Sequence, residues 1–151
     1  MSLFVEIRYP LRKLYEDGYT THKLLFANSK IAVIWMSLYN WRVNPTSITQ
    51  SSWSPSQIDA IYALVEQMEY LQLNGYSQAY KTSVQAFFNH TIKHLAYAKA
   101  LSPKYDSYIK ELTSWRNHAF SLYIREYGIL KAIIYWFDVR ILRRLRQLSK
   151  K

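Results

Sequence analysis

The sequence predicts an all-α protein with a basic N-terminal helical arm followed by a three- to four-helix bundle. Apolar residues recur at three- and four-residue intervals through most of the chain, which is the spacing of an amphipathic helix. No stretch of useful length alternates apolar and polar residues as a strand does. The few Gly and Pro residues stand where helices begin or end. We therefore divide the chain into an arm (residues 1–45), a linker (46–54) and a bundle with a basic C-terminal helix (55–151).

The arm contains two predicted helices. Pro10 suits the first turn of a short helix, and Gly18 ends that helix. Thr20 or Thr21 can cap a second helix that runs to about Trp41. The apolar residues of this second helix lie close to helical spacing: Leu24, Leu25, Ile31, Ile34, Trp35, Leu38 and Tyr39.

The bundle begins at a strong helix-start signal, Ser54-Pro55-Ser56-Gln57. The Ser is a suitable N-cap, Pro takes the first helical position, and Gln can close a capping box. Asn74-Gly75 ends this helix in the left-handed conformation that Gly favours. Ser77 can cap the next helix, from about Gln78 to Leu101, which Ser102-Pro103 then stops.

A final helix is predicted from about Lys104 to Leu148, with Gly128 able to kink or divide it. Residues 129–139 are apolar at all positions except two, so this part needs cover on every side. We expect a second subunit or lipid to cover Trp136, Ile129 and the face opposite Phe137. The predicted apolar stripe of the whole helix comprises Ile109, Leu112, Trp115 or Arg116, Ala119, Tyr123, Tyr127, Leu130, Ile134, Phe137, Ile141, Leu145 and Leu148.

Positive charge is the strongest functional signal in the sequence. The net charge is +10, from 20 Lys and Arg against 10 Asp and Glu. Residues 1–45 hold six cations against three anions, residues 46–102 three against three, and residues 103–151 eleven against four. A chain with basic ends and a neutral middle suits a protein whose middle packs while its ends meet a polyanion. That polyanion is either nucleic acid or an anionic membrane surface.

The sequence shows no catalytic or cofactor motif. His90 and His94 have the i, i+4 spacing that places two imidazoles on one metal, but no carboxylate lies near them in sequence. Two ordinary histidines on a helix are therefore the preferred interpretation, and we expect no metal. The absence of Cys excludes a disulfide framework and thiolate metal sites. We expect a protein that is not an enzyme and needs no cofactor.

The candidate binding residues are the cations at the two ends. Lys23 and Lys30 are seven residues apart, so on a continuous helix they project from nearly the same face. The cations of the arm are Arg8, Arg12, Lys13, Lys23, Lys30 and Arg42. Those of the C-terminal segment, where the final helix has a basic and an apolar face, are Arg140, Arg143, Arg144, Arg146, Lys150 and Lys151.

In architecture and composition the chain resembles the major coat proteins of filamentous viruses of hyperthermophilic archaea, the lipothrixviruses and rudiviruses. The resemblance rests on the basic arm, the linker, the capped bundle start and the apolar-then-basic end, together with many Tyr and no Cys. The segments that carry it are Arg8–Trp41, Val43–Ser54, Ser54-Pro55-Ser56-Gln57 and Ile129–Lys151.

The resemblance implies a virion coat protein without enzymatic activity, whose copies, alone or paired with a second coat protein, form a helical nucleocapsid. In that family the arms wrap double-stranded DNA in the A form, and in enveloped members the bundle faces a thin membrane. By analogy the six arm cations would contact DNA. The C-terminal cations would contact DNA, lipid head groups or a neighbouring subunit, and this chain departs from the family plan in carrying more positive charge there than in the arm.

Two other functions remain open from the sequence. The first is a dimeric helical DNA-binding regulator, for which Asp17-Gly18 is the only candidate turn of a helix-turn-helix. The second is a membrane-surface protein that uses its basic C-terminal helix. A span across the membrane is not expected, because the longest uncharged apolar-rich run, Ile31–Trp41, is shorter than the roughly 20 residues that a helix needs.

Overall fold

The computed structural model describes residues 6–40 and 52–137 and confirms the all-α prediction for them. No strand occurs in these two ranges. A 3₁₀ turn, Pro55–Ile58, precedes the second α-helix, and residues 129–137 are again helical after the break at Gly128. The α-helices before this break are α1 (Glu16–Phe26), α2 (Asp59–Leu73), α3 (Ser77–Ala100) and α4 (Asp106–Tyr127).

The core lies between α2, α3 and α4. Helix α3 packs along both α4 and α2, because its buried residues Val84, Phe87 and Phe88 face both neighbours. Ile61 of α2 and Leu112 of α4 are fully buried opposite them. Each such side chain contributes about 1.5–3 kcal/mol when it is removed from water. Helix α1 packs against the outer side of α2.

The predicted start of the bundle is correct in position but not in detail. Ser54 has an extended backbone, and the first turn begins at Pro55. The backbone N–H of Gln57 donates to the Ser54 carbonyl at 3.0 Å, which makes this turn 3₁₀ rather than α. The Ser54 hydroxyl pairs with the Ser56 hydroxyl instead of capping the backbone, so the capping box does not form.

The turn between α2 and α3 matches its prediction. Gly75 has φ +75°, the left-handed conformation in which a side chain is strained. The N–H of Tyr76 donates to the Leu71 carbonyl at 2.9 Å and thus closes the end of α2. Helix α3 then begins at Ser77 and ends at Ala100, each one residue from the predicted limit.

The two helices predicted in the arm are wrong in their boundaries. One helix, α1, includes Gly18, which was expected to end a helix. The reason is packing: a Cβ at Gly18 would lie 3.2 Å from the Cβ of Ala63, so Gly lets α1 approach α2 closely. Asp17-Gly18 is therefore part of a helix and not the turn on which the regulator hypothesis depended.

The structure also contradicts the predicted continuation of the arm helix to Trp41. Helix α1 ends at Phe26, and residues 27–40 are non-helical. The Asn28 side chain donates to the Leu24 carbonyl at 2.6 Å, a contact that competes with further helix. The β-branched residues that follow have low helix propensity and no packing to offset it. Lys23 and Lys30 consequently do not share one helix face.

Gly128 divides the last predicted helix, with φ +84°. Before the break, Leu112, Ala119 and Tyr123 are buried as predicted. After it the register changes: Ala132 is buried, whereas the predicted core positions Leu130, Ile134 and Phe137 are exposed. The predicted stripe is therefore wrong for these three residues, because a left-handed Gly reorients the following helix. The stripe positions Ile141, Leu145 and Leu148 lie outside the described residues.

Candidate nucleic-acid interface

Asp59, the first residue of α2, fixes the start of the arm to the bundle. Its Oδ1 accepts from Lys13 Nζ at 3.1 Å, and its Oδ2 accepts from the backbone N–H of Leu14 at 3.1 Å. Its carbonyl accepts from the Tyr19 hydroxyl at 3.2 Å. Burial beside the Asp59 and Glu66 carboxylates raises the pKa of Tyr19 to about 12, so this hydroxyl remains a donor at neutral pH. Lys13, a predicted DNA contact, is thus engaged within the subunit.

Helix α1 makes three further contacts with the bundle, and one of them uses a second predicted DNA contact. Lys23 pairs with Glu66 of α2. The His22 ring meets the Tyr70 ring edge-on, with 5.1 Å between centroids. At the end of the helix, Phe26 stacks on Tyr76 at 4.1 Å. The arm is therefore attached along the whole of α1.

Three of the predicted arm cations remain available to a polyanion. Arg8, Arg12 and Lys30 are exposed, and none of them has an ion pair or a side-chain hydrogen bond among the described residues. Arg12 stands in a turn with φ +58° before α1, and Lys30 follows the end of α1. The sixth cation, Arg42, lies outside the described residues. The structure brings Arg8 and Arg12 to one end of α1 and leaves Lys30 at the other.

The predicted C-terminal site cannot be placed, because all its members lie outside the described residues: Arg140, Arg143, Arg144, Arg146, Lys150 and Lys151. The described bundle surface adds exposed cations that the sequence argument did not select. Lys99 and Lys104 flank the turn between α3 and α4, and Lys104 Nζ lies 5.1 Å from the centre of the Tyr105 ring. The neutral charge balance of residues 46–102 concealed Lys99, since carboxylates elsewhere in that range cancel it in the count.

The two histidines of α3 form a stacked pair in which His94 is buried and His90 is partly buried. Their rings lie 5.9 Å apart between centroids. His94 Nδ1 accepts a hydrogen bond from the buried Trp53 indole at 2.9 Å. Burial, together with the positive field of His90 and Lys93, lowers the pKa of His94 to about 4. Burial also lowers the pKa of His90. In the described part of the chain no three His, Asp or Glu side chains converge as metal ligands would.

The helical residues 129–137 do not need outside cover at Trp136, which corrects the expectation from the sequence. The Trp136 ring packs on Phe120 at 5.2 Å and on Phe88 at 6.0 Å, and the Arg116 guanidinium lies 5.6 Å from its centre. Tyr135 donates to Asn89 of α3 at 2.7 Å. Five other residues of this helix form an exposed face, which we call the tail stripe: Ile129, Leu130, Ile133, Ile134 and Phe137.

A second exposed apolar surface lies in the non-helical half of the arm. We call it the arm strip: Ile31, Val33, Ile34, Trp35, Met36, Leu38 and Tyr39. Residues 31–39 include no charged side chain. Within the described ranges, no helix is long and apolar enough to cross a membrane.

The candidate interface therefore combines cations before and after α1, which have no ion pair among the described residues, with two exposed apolar surfaces. This arrangement suits contact with a polyanion and with other protein surfaces at the same time. Comparison with known proteins adds no assignment: no protein-family model, no curated protein and no solved structure matches this chain.

Proposed function

We propose that this protein is a structural virion coat protein that binds double-stranded DNA without sequence preference and assembles into a helical nucleocapsid. In this proposal residues 1–45 act as a DNA-wrapping arm and residues 55–151 as the bundle that builds the outer wall. No enzymatic activity and no cofactor are assigned. A second coat protein and a lipid envelope are compatible additional partners.

The observation that carries the proposal is uncompensated positive charge. The chain has only 10 Asp and Glu for 20 Lys and Arg, and contacts inside the subunit already use several of these carboxylates. Asp59, Glu66 and Glu126 are in ion pairs, and Glu111 accepts from the Tyr62 hydroxyl at 2.6 Å. Few carboxylates of the same chain are therefore left to form ion pairs with cations such as Arg8. A phosphate backbone supplies such anions at regular spacing.

The exposed apolar surfaces support assembly rather than action as a single subunit. Monomeric soluble proteins rarely expose contiguous apolar patches beyond a few hundred Å². This subunit exposes both the arm strip and the tail stripe. Because neither surface carries charge, DNA does not cover them, and other protein surfaces in a nucleocapsid would. The two features together favour a coat subunit over a small DNA-binding regulator.

The test measures binding of the full chain to two unrelated duplexes over a salt series, followed by electron microscopy. We expect equal affinities for the two sequences and a fall in log affinity of about 0.9 per phosphate neutralised for each tenfold rise in salt. The double change Arg8→Gln and Arg12→Gln should reduce that slope by up to about 1.8. Filaments should form on linear DNA.

Three results would contradict the proposal. Strong preference for one duplex with a small, defined oligomer would support the regulator. Binding only to anionic vesicles, with no affinity for DNA, would support the membrane-surface function. DNA binding by isolated molecules, without any filament, would contradict the coat function. It would still support DNA as the partner of the basic surface.

A further inference from the structure

The tail stripe is a continuous apolar face. Successive residues of a helix are turned by about 100°, so positions 129, 130, 133, 134 and 137 fall within less than half of the circumference. Tyr135 lies opposite the middle of the stripe and donates to Asn89 of α3, and Trp136, next to Ile129 around the helix, packs on Phe88 of α3 and Phe120 of α4. The five stripe side chains are between 43% and 75% exposed. The helix is therefore anchored on one side and presents an unoccupied surface on the other.

The arm strip is the more exposed of the two surfaces. Trp35 is 95% exposed, and the other strip side chains are at least 59% exposed. The segment is not helical, so its backbone N–H and C=O groups are not bonded in a helix ladder. Such a backbone is costly to place in lipid, where water cannot satisfy it. It can lie along a protein surface with one side in water.

The segments that carry the two surfaces begin at the same end of the bundle. The arm departs after Phe26, which stacks on Tyr76 at the turn between α2 and α3. The end of α4 is beside the start of α3, because Arg125 donates to the Tyr80 hydroxyl at 2.6 Å and Tyr127 donates to the Lys81 carbonyl at 2.8 Å. The tail stripe begins directly after that point. Within one subunit, nonetheless, the two surfaces remain exposed and do not cover each other.

We propose that the arm strip of one copy covers the tail stripe of a second copy. The stripe is about 12 Å long, from eight helical rises of 1.5 Å. An extended segment spans that distance with about four residues, so residues 31–39, which carry the strip, are more than sufficient. Two surfaces without charge cover each other with no buried ion to desolvate. These features favour a second copy of this chain as the partner.

This contact is directional, because each copy offers a strip at one contact and a stripe at the next. Heterologous contacts of this kind produce closed rings, of which a reciprocal pair is the smallest, or open helices. The inference deepens the proposed function, in that it rests on an assembling coat subunit and names the surfaces that assemble. It is tested without DNA, so loss of the contact and loss of DNA binding can be told apart.

The main test mixes two variants of the full chain. The arm variant carries Ile34→Asp and Trp35→Asp, and the stripe variant carries Leu130→Asp and Ile134→Asp. Sedimentation velocity should show concentration-dependent oligomers for the unchanged chain and monomers for each variant alone. An equimolar mixture should form a one-to-one dimer and nothing larger. In that dimer the intact arm strip of the stripe variant covers the intact tail stripe of the arm variant. The remaining two surfaces carry the Asp substitutions, so no further contact forms.

Charge-matched controls separate the surfaces from a general effect of negative charge. Ser29→Asp with Asn40→Asp brackets the strip, and Lys131→Glu changes the charge of the tail helix by the same amount. These controls should assemble like the unchanged chain. A mixture of the two variants that stays monomeric would overturn the proposal, and so would an unchanged chain that is monomeric at every concentration or variants that assemble normally.

A second measurement does not depend on disruptive changes. The chain contains no Cys, so single Cys residues can be introduced without side reactions. Under oxidation, a mixture of Trp35→Cys and Ile134→Cys chains should form the mixed disulfide dimer several-fold faster than either chain links to itself. Equal rates in the three reactions would contradict the strip-on-stripe contact even if oligomers form.

Discussion

The two halves of the arm behave in opposite ways. Residues 13–26 are attached to the bundle, and Tyr19, Thr20 and His22 of α1 are buried. Residues 27–40 are exposed except for the partly buried Asn28, although they contain the most apolar part of the arm. The half with more polar side chains is thus the half that the subunit covers.

The difference shows that matching contacts, rather than hydrophobicity alone, decide burial within this subunit. Two of the buried residues of α1 meet a partner on α2, Asp59 for the Tyr19 hydroxyl and Tyr70 for the His22 ring, and the Phe26 ring at the end of the helix stacks on Tyr76. Among the described residues, the arm strip meets no corresponding surface on its own bundle. The proposed contact with a second copy would cover these apolar side chains.

The strongest test of this comparison replaces one aromatic residue in each half. Tyr19→Ala should lower the free energy of unfolding by about 3–5 kcal/mol, because it removes a buried ring and leaves a cavity between α1 and α2. Trp35→Ala should change it by at most about 0.5 kcal/mol, because that side chain is almost fully exposed. Urea denaturation at a concentration where the chain is monomeric measures both. Similar losses of unfolding free energy for the two variants would mean that residues 27–40 are packed in the free subunit.

The next test concerns the point where the chain rejoins the bundle after the arm. Trp53 is fixed there by His94, whose pKa is lowered to about 4. The unfolded chain takes up the proton near pH 6.5, before the folded one does. Stability is therefore complete above about pH 6.5 and falls as the pH approaches 4, by roughly 2–3 kcal/mol. Denaturation midpoints measured through this range should show the loss.

The matched variants for the pH effect are His94→Asn and His118→Asn. Asn at position 94 offers Trp53 an acceptor that does not titrate, so the pH dependence should become flatter. His118 is exposed on α4, and its replacement should leave the pH profile as it is. The remaining slope in the His94 variant should come from His90 and His22, whose pKa values burial also lowers. A His94 variant with an unchanged profile would exclude the Trp53 anchor as the source.

The sequence predicted those features of the structure that depend only on neighbouring residues in the chain. Gly75 ends α2 through its own backbone conformation, so that boundary could be read from two residues. Gly18 gives the same local signal, yet it lies inside α1 because Ala63, far away in sequence, requires close approach. Gly128 was recognised as a break, but the change of register after it depends on a backbone angle that the sequence does not contain.

The candidate site follows the same division. The composition predicted a basic surface, and Arg8, Arg12 and Lys30 are indeed exposed. It did not predict that Lys13 and Lys23 are paired inside the subunit, because their partners Asp59 and Glu66 are more than 40 residues away. Charge counts along the chain do not reveal such pairs. Only the packing of α1 on α2 shows which cations form ion pairs within the subunit and which are free to contact a polyanion.

A smaller effect is expected at the anchor of the packed half. Asp59→Ala should cost about 1–3 kcal/mol, because it leaves the partly buried N–H of Leu14 without its acceptor. The segment before α1 should then be cut faster by trypsin at Arg12 and Lys13. Glu69→Ala, an exposed carboxylate on the same helix, is the control and should alter neither stability nor cleavage. Unchanged cleavage in the Asp59 variant would show that α1 alone holds this segment.

The smallest expected effect compares one lysine from each half. Lys23→Gln should lower stability by only about 0.5 kcal/mol, because its pair with Glu66 is partly exposed to solvent. Lys30→Gln should not change stability, since Lys30 has no ion pair among the described residues. In DNA binding the larger effect should come from Lys30. Its removal should reduce the salt slope by about 0.9. Lys23 should contribute less, because it must separate from Glu66 before it can contact a phosphate. Paired salt titrations of the two variants measure this. If the lysine held by Glu66 proves the stronger DNA contact, then α1 leaves the bundle when DNA binds, and the two halves of the arm act as one.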